Sequence, residues 1–146
     1  CALPIYIYLS SDFIIGFPGE TDDDFEATMN LIHDIGFDQS FSFIYSPRPG
    51  TPASFNTEQI AEEVKDRRLQ ELQAVLRKHQ LEFNQSKIGE VIEILVEKRG
   101  KKSGQMIGKS PHMQSVIVSG GDELVGKLIS VKINHASLNS LNAQSE

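Results

Sequence analysis

A strand, a helix and a second strand follow one another early in the chain, and this order strongly restricts the fold. Residues 12–17 form a short apolar run, and polar and apolar residues alternate over residues 40–45. The residues between them carry apolar side chains at helical spacing, namely Phe25, Met29, Ile32 and Ile35. Strands joined by a crossover helix lie parallel in one sheet. Residues 1–55 are too few to close a barrel, so the sequence predicts the last units of a larger parallel α/β sheet.

The helical segments carry recognisable boundary signals. Thr21 and Asp24 form a variant of the capping box, and Gly36 can end the first helix in a left-handed conformation. A second, long helix is predicted over residues 57–84, with an apolar stripe of Ile60, Val64, Leu69, Leu72, Leu76 and Phe83. This pattern is typical of a packing helix whose charged residues face solvent.

After Gly89 the sequence changes to short β-type runs separated by glycines. Residues 91–96, 116–118 and 128–133 are rich in Val and Ile, which favours strands in a small β-barrel. Residues 137–146 are polar and are predicted to fray. The predicted fold class is therefore α/β followed by all-β, with a boundary between residues 1–83 and residues 84–146.

The net charge of −6 is unevenly distributed. Residues 1–83 hold 6 Lys/Arg and 14 Asp/Glu, whereas residues 84–146 hold 8 and 6. This asymmetry favours two units, of which the second meets an anionic partner. There is no run of about 20 apolar residues and no export signal, so we expect no membrane association and a cytoplasmic location.

Cysteine and histidine usage argues against a metal site made by this chain alone. Cys1 is the single cysteine, and the four histidines are widely separated along the sequence. None of them has a second His or Cys at the spacing of a typical metal site. We therefore expect no metal ligand and no catalytic residue among these 146 residues.

Two loops follow the predicted parallel strands and should lie at the same sheet edge. The first contains Gly16 and Glu20 and the second contains Ser46 and Arg48, directly after Tyr45. Ligands of parallel α/β proteins bind at this edge, where glycine permits close backbone approach and Arg suits a carboxylate or phosphate. Structural turns carrying a solvated Arg would explain the same residues.

A basic glycine-containing hairpin is predicted between the first two barrel strands. Five Lys/Arg and no acid occur between Lys98 and Met113. The cations at its tip, Lys98, Arg99, Lys101 and Lys102, suit a phosphate backbone, although a merely solvated turn has the same composition. The segment has no aromatic residue for base stacking, so any contact should have little sequence specificity.

The stretch DFIIGFPGET, residues 12–21, resembles a late strand of the radical S-adenosylmethionine methylthiotransferase family. In that superfamily a G-x-I-x-G pattern packs its Ile on the adenine of S-adenosylmethionine. Ile14 and Gly16 match the pattern, and Asp12 replaces its first glycine. Residues 36–46 and 48–53 are similar to the branch that modifies isopentenylated adenosine beside the tRNA anticodon, and residues 84–146 resemble a TRAM domain, a small RNA-binding barrel.

The resemblance implies a C-terminal part of such an enzyme, with the end of a TIM-like radical barrel followed by the TRAM domain. It implies S-adenosylmethionine and two 4Fe–4S clusters as cofactors, and the tRNA anticodon stem-loop as substrate. Ile14, Gly16, Glu20, Tyr45, Ser46 and Arg48 would border the cofactor, and Lys98, Arg99, Lys101 and Lys102 would hold tRNA.

The cluster cysteines of the family, in a C-x-x-x-C-x-x-C loop, do not occur in this sequence. We therefore expect the chain to be inactive without the N-terminal part of the enzyme. Residues 1–9 do not resemble the family and are expected to be non-native. Two alternatives stay open: a methylthiotransferase acting on a ribosomal protein, and a non-catalytic RNA-binding module.

Overall fold

A computed structural model describes residues 8–145 of the chain. The expectation about residues 1–9 therefore falls largely outside the described residues. The chain divides into two compact units, Cys1–Gln80 and Leu81–Glu146. The strands and helices are β1 (Ser10–Ile15), α1 (Asp22–Ile35), β2 (Gln39–Ile44), α2 (Glu62–Ser86), β3 (Val91–Arg99), β4 (Gln105–Lys109), β5 (Ser115–Ser119), β6 (Leu128–Ala136) and β7 (Leu141–Ser145). Two short 3₁₀ helices cover Pro52–Phe55 and Asp122–Leu124.

The first unit is a strand–helix–strand motif with a second helix packed on it. Strands β1 and β2 pair in parallel, from Ser10 opposite Gln39 to Ile15 opposite Ile44. The Thr21 hydroxyl accepts from the Asp24 amide, and the Asp24 carboxylate accepts from the Thr21 amide. Gly36 ends α1 at φ 65°, in the left-handed region. The parallel pairing and both predicted helix boundaries are confirmed.

One face of the two-stranded sheet is buried against both helices. Strand β1 contributes Phe13 and Ile15 to this core. Helix α1 contributes Phe25, Met29 and Ile32, and α2 contributes Leu72 and Leu76. Ile35, predicted on the buried face of α1, is 42% exposed because it lies in the last turn of the helix.

Helix α2 begins at Glu62 rather than at residue 57. A 3₁₀ helix and a side-chain-stabilised turn occupy the preceding residues. The Asn56 carboxamide oxygen accepts from the Glu58 amide at 2.9 Å, and the Gln59 side chain donates to the Asn56 carbonyl at 2.8 Å. These local bonds compete with helical bonds, which explains the later start.

The second unit contains a closed five-stranded barrel with strand order β3-β4-β5-β7-β6. Its pairs are antiparallel except for β5 and β7, which run parallel. Its interior is filled mainly by branched aliphatic side chains, among them Ile94, Val96, Val116, Val118, Val131 and Ile133. The predicted small barrel and long helix are confirmed.

Two barrel strands are absent from the sequence prediction. Strand β4 is short and contains Gly108 and Lys109, which weakens its apolar pattern. Strand β7 falls in the segment that was predicted to fray, and that prediction is wrong. It lies between β5 and β6, with Leu141 fully buried inside the barrel. Within residues 8–145, no helix is long and apolar enough to cross a membrane.

Candidate functional site

The turn after β1 is held by a carboxylate that reaches back to its first residue. Gly16 has φ +75°, in the left-handed region that favours glycine. Its amide donates to Glu20 Oε2 at 2.9 Å. The predicted cofactor residues Gly16 and Glu20 therefore contact each other, and this bond fixes the path of the turn.

The other oxygen of Glu20 accepts from a buried arginine. Arg68 of α2 donates to Glu20 Oε1 at 2.6 Å and to the Glu20 carbonyl at 3.2 Å. Its second terminal nitrogen donates to Asp22 Oδ1 at 2.6 Å. The Arg68 side chain is only 4% exposed and lies over the Phe25 ring. Glu20 is thus held by the protein itself, as part of a charged network beneath the turn.

The network stabilises the charged form of both partners, Asp22 and Arg68. The hydrogen bond from Arg68, followed by its positive charge, lowers the pKa of Asp22 below the ordinary value of 3.8. Burial alone would lower the pKa of Arg68, but its bonds to Asp22 and Glu20 outweigh that effect and raise the pKa above the ordinary arginine value. Both groups are therefore charged throughout the neutral range.

Lys65 covers the α-carbon of Gly16. A β-carbon added at Gly16 would lie 2.2 Å from Cγ and 2.4 Å from Cδ of Lys65. The Lys65 side chain is 4% exposed, and its ammonium group pairs with Glu62, which is 74% exposed. The glycine at position 16 thus permits close approach by an aliphatic lysine stem as well as the positive φ.

The remaining predicted cofactor residues differ in exposure. Ile14 is 58% exposed, on the face of β1 opposite the helices. Tyr45 donates its amide to the Ile15 carbonyl, and its ring packs edge-on against Phe17 with centroids 5.2 Å apart. The Tyr45 hydroxyl is buried and has no hydrogen-bond partner in the described part of the chain. Ser46 and Arg48 are exposed in the loop that follows.

The burial of Lys65 and Arg68 was not predicted, because all charged residues of α2 were expected to face solvent. The spacing of Lys65 and Arg68 along the helix could have predicted their burial. Positions 65, 68, 72 and 76 recur every three or four residues, and the last two are the buried leucines. Lys65 and Arg68 therefore continue the buried stripe.

The open face of the β1–β2 sheet is strongly apolar. Ile14 and Phe43 lie opposite each other in the parallel register, and Phe41 follows on the same face. Phe41 is 57% exposed and Phe43 is 53% exposed. Within residues 8–145, these side chains form an apolar surface that the helices of the unit do not cover.

The basic hairpin, residues 98–104, joins β3 to β4, a strand that was not predicted from the sequence. Lys98, Lys101 and Lys102 are exposed. Arg99 makes a two-pronged ion pair with Asp122 in the 3₁₀ segment after β5. A cleft of about 520 Å³ lies between the hairpin and residues 120–122. The three lysines therefore present positive charge, while that of Arg99 is offset by its partner.

The donor side chains of the first and second units are scattered along the described chain. Within the part of the chain that the structure describes, no group of three or more His, Cys, Asp or Glu side chains could hold a metal ion. An iron–sulfur cluster therefore does not fit these residues. The open sheet face beside Ile14, in contrast, offers an apolar surface suited to a flat heterocycle.

Comparison with known proteins gives two similarities. The TRAM domain family matches residues 85–145, which include the whole described barrel. A tRNA-2-methylthio-N(6)-dimethylallyladenosine synthase of Rickettsia rickettsii is 51% identical over 139 residues, covering 94% of this chain and 31% of the relative. The enzyme of the same name from Zymomonas mobilis subsp. mobilis is 50% identical over 138 residues. The chain thus spans about a third of the length of these curated relatives.

Proposed function

Since this chain belongs to the tRNA methylthiotransferase family, we propose that it supplies one wall of the cofactor site and the RNA-binding barrel of such an enzyme. The proposed reaction adds a 2-methylthio group to N6-isopentenyl-adenosine next to the tRNA anticodon. The observation that carries this proposal is the 51% identity that extends across 94% of the chain, through both units.

The first unit is proposed as the end of a radical S-adenosylmethionine barrel. Its parallel strands have both helices on one face and an exposed apolar surface on the other. In a TIM-like barrel, helices cover the outside and strand residues fill the interior. Residues 1–83 are accordingly proposed as part of that domain, and residues 84–146 as the RNA-binding domain.

S-adenosylmethionine and two 4Fe–4S clusters would supply the radical and sulfur chemistry in the complete enzyme. The cluster ligands must come from outside residues 8–145, so this chain alone is proposed to be inactive. Ile14 offers its exposed side chain to the adenine, and the Gly16 turn is kept rigid by Glu20. Tyr45, Ser46 and Arg48 complete the border of this site. The cytoplasm, where tRNA is found, is the proposed location.

The role of the second unit is proposed to be electrostatic attachment to the anticodon stem-loop. Lys98, Lys101 and Lys102 lie on one exposed hairpin, and lysine contacts to phosphates release bound counterions. Arg99 belongs to the same surface, although its ion pair with Asp122 offsets its charge.

The reaction is tested with a chimera in which this chain replaces the matching third of the Rickettsia rickettsii relative. The chimera is expressed in bacteria that lack 2-methylthio-adenosines, and tRNA nucleosides are analysed by mass spectrometry. We expect 2-methylthio-isopentenyl-adenosine to reappear, as it does with the intact relative, but not with this chain alone. Modification of a ribosomal protein without change in tRNA would contradict the proposal.

RNA attachment is tested by the salt dependence of tRNA binding. Replacing Lys101 and Lys102 with Ala should weaken binding and make the negative slope of log K against log salt shallower by roughly 1.5, from a loss of 0.7–0.9 per phosphate contact. The control replaces Arg67 and Arg77, two exposed cations of α2. An equal slope change in the control would show that the hairpin has no special role.

A further inference from the structure

A second groove lies on the outer surface of the barrel, beside the basic hairpin. It has a volume of about 350 Å³. This is within the range of small-molecule clefts, roughly 300–1,000 Å³. The side chains that define its chemistry are Lys102, Gln105, Ile117, Asn134, Asn142 and Gln144. Three of the four amides come from β6 and β7, so we call this site the amide groove.

Strand pairing brings these amides onto one face. In β7, Leu141 and Ala143 point into the barrel core, so Asn142 and Gln144 point outward. Asn142 pairs with Ile117 of β5, whose neighbours Val116 and Val118 are buried.

Asn134 joins this surface through an irregularity in β6. The register between β6 and β7 shifts between Ile133 and His135, which leaves Asn134 as the extra residue of a bulge. Asn134 and His135 are both exposed, so the bulge interrupts the strict alternation of the strand. Bulges commonly redirect a side chain in this way.

The groove has the donors and acceptors that a nucleobase edge requires. Each amide offers an acceptor oxygen and two N–H donors. Within residues 8–145, the side chains of Asn134, Asn142 and Gln144 make no hydrogen bond to the protein. Ile117 provides an apolar surface, and Lys102 is the only charged residue that lines the groove among those described. The absence of a carboxylate from this lining favours an anionic polymer.

We propose that the amide groove binds one unstacked nucleobase of a single-stranded RNA whose adjacent phosphates lie on Lys101 and Lys102. This inference rests on the proposed RNA-binding function and assigns it a base-reading site. Proteins read single-stranded RNA through hydrogen bonds to exposed base edges. A base held by amides on rigid strands has a defined orientation, whereas lysines on a hairpin contact the backbone regardless of sequence.

The proposal changes the specificity expected of the barrel. The hairpin has no aromatic residue, so we expect it to contact RNA with little sequence preference. The amide groove adds hydrogen bonds that depend on the base, immediately next to those electrostatic contacts. Backbone attachment and base selection are therefore separable by substitution.

The test measures binding of the full chain to ribo-oligonucleotide decamers of A, C and U. The wild-type chain should prefer one decamer over the weakest by roughly tenfold, the discrimination expected for a well-formed amide–base contact. The double variant Asn134→Ala/Asn142→Ala should bind all three with similar affinity and retain the wild-type salt slope. Asn139→Ala, an exposed amide outside the groove, is the matched control and should keep the preference.

The possible results separate this inference from the proposed function. If wild-type chain binds the three decamers equally, or if the double variant keeps the preference at an unchanged melting temperature, the amide groove does not read bases. RNA binding with a normal salt slope would survive either result, so attachment by the hairpin would stand. Failure of the wild-type chain to bind tRNA and decamers alike would overturn both ideas.

Discussion

Gly16 illustrates how one residue can satisfy two structural requirements. Its φ of +75° disfavours any side chain, and Lys65 occupies the space that a β-carbon would take. We expect Gly16→Ala to lower the free energy of unfolding by roughly 2–4 kcal/mol, from backbone strain plus overpacking. Urea denaturation of the full chain measures this change.

Gly50 provides the matched control for that substitution. It has φ +83°, but a β-carbon there would meet nothing within 4 Å. Gly50→Ala should therefore cost only about 1–2 kcal/mol, the backbone contribution. In a Lys65→Ala background, Gly16→Ala should fall to a similar cost because the overlapping Cγ and Cδ atoms are removed. Equal costs of Gly16→Ala in both backgrounds would show that the lysine stem is not the constraint.

The Arg68 network predicts a pH dependence of stability. Because the pKa of Asp22 is lower in the folded chain than its ordinary value of 3.8, the bond to Arg68 stabilises the fold fully above that value. The stabilisation is lost as pH falls through the lower, folded-state pKa. Arg68→Met should abolish this contribution and bring the Asp22 pKa back toward 3.8, as followed by NMR titration of the carboxyl group.

The control for this prediction is Arg67→Met, since Arg67 is exposed and only a minor cause of the Asp22 shift. It should leave the acid part of the stability curve almost unchanged. A wild-type curve and an Arg68→Met curve that remain parallel from pH 5 to pH 2, about the range over which such carboxyls titrate, would refute the coupling.

The site was only partly predictable at this scale. The sequence pattern located Gly16 and Glu20 in one turn, and the structure joins them by a hydrogen bond. It did not indicate that Arg68, 48 residues further along, would hold Glu20. Such a contact depends on how α2 packs, which no local spacing around Glu20 encodes.

Among the elements, α2 ends within the second unit, where a buried amide in its last turns bonds to the connection between β6 and β7. Asn84 is 3% exposed. It donates to the carbonyls of Ser137 and Leu138 at 2.8 and 2.9 Å, and it accepts from Gln114 at 2.7 Å. These bonds fix the connection between β6 and β7.

We expect Asn84→Ala to destabilise the second unit by about 2–3 kcal/mol, because it leaves buried polar groups without partners. Thermal unfolding followed by circular dichroism tests this. Gln85→Ala, at the adjacent exposed position, should change stability by no more than about 0.5 kcal/mol. Similar effects of the two substitutions would show that the buried amide contributes nothing specific.

Strands were predicted correctly from the sequence where their own residues strongly favour the extended state. Residues 91–96 and 128–133 are rich in Val, Ile and Leu and lie within β3 and β6. Strand β7 has only Leu141 and Ala143 as apolar residues, so its extended state depends on pairing with β5 and β6. Closure of the barrel supplies that pairing, and it is a long-range property that a local pattern does not contain.

At the scale of the whole molecule, each unit has its own buried cluster, one built on β1 with α1 and α2 and the other inside the barrel. The sequence predicted a boundary between residues 83 and 84, and the structure divides the chain between Gln80 and Leu81. In the first unit, the face of the sheet away from the helices is open. From the sequence, this could be expected only because residues 1–55 contain too few strands to close a barrel.

The open face predicts that solubility and stability respond differently to substitution. Phe41 and Phe43 are more than half exposed, so replacing both with Thr should alter the free energy of unfolding by less than about 1 kcal/mol. The same change should reduce self-association, because exposed apolar patches promote aggregation. Light scattering against concentration and urea denaturation measure the two quantities separately.

Phe13→Thr gives the contrast, since Phe13 lies on the other face of the same sheet and is only 8% exposed. Its replacement should cost roughly 3–5 kcal/mol through lost packing, the range for truncating a buried aromatic side chain. If the double variant at Phe41 and Phe43 were as destabilised as Phe13→Thr, both faces of the sheet would be packed within this chain. If it is stable and less self-associating, the face is a surface that another part of a complete enzyme can cover, as the proposed barrel requires.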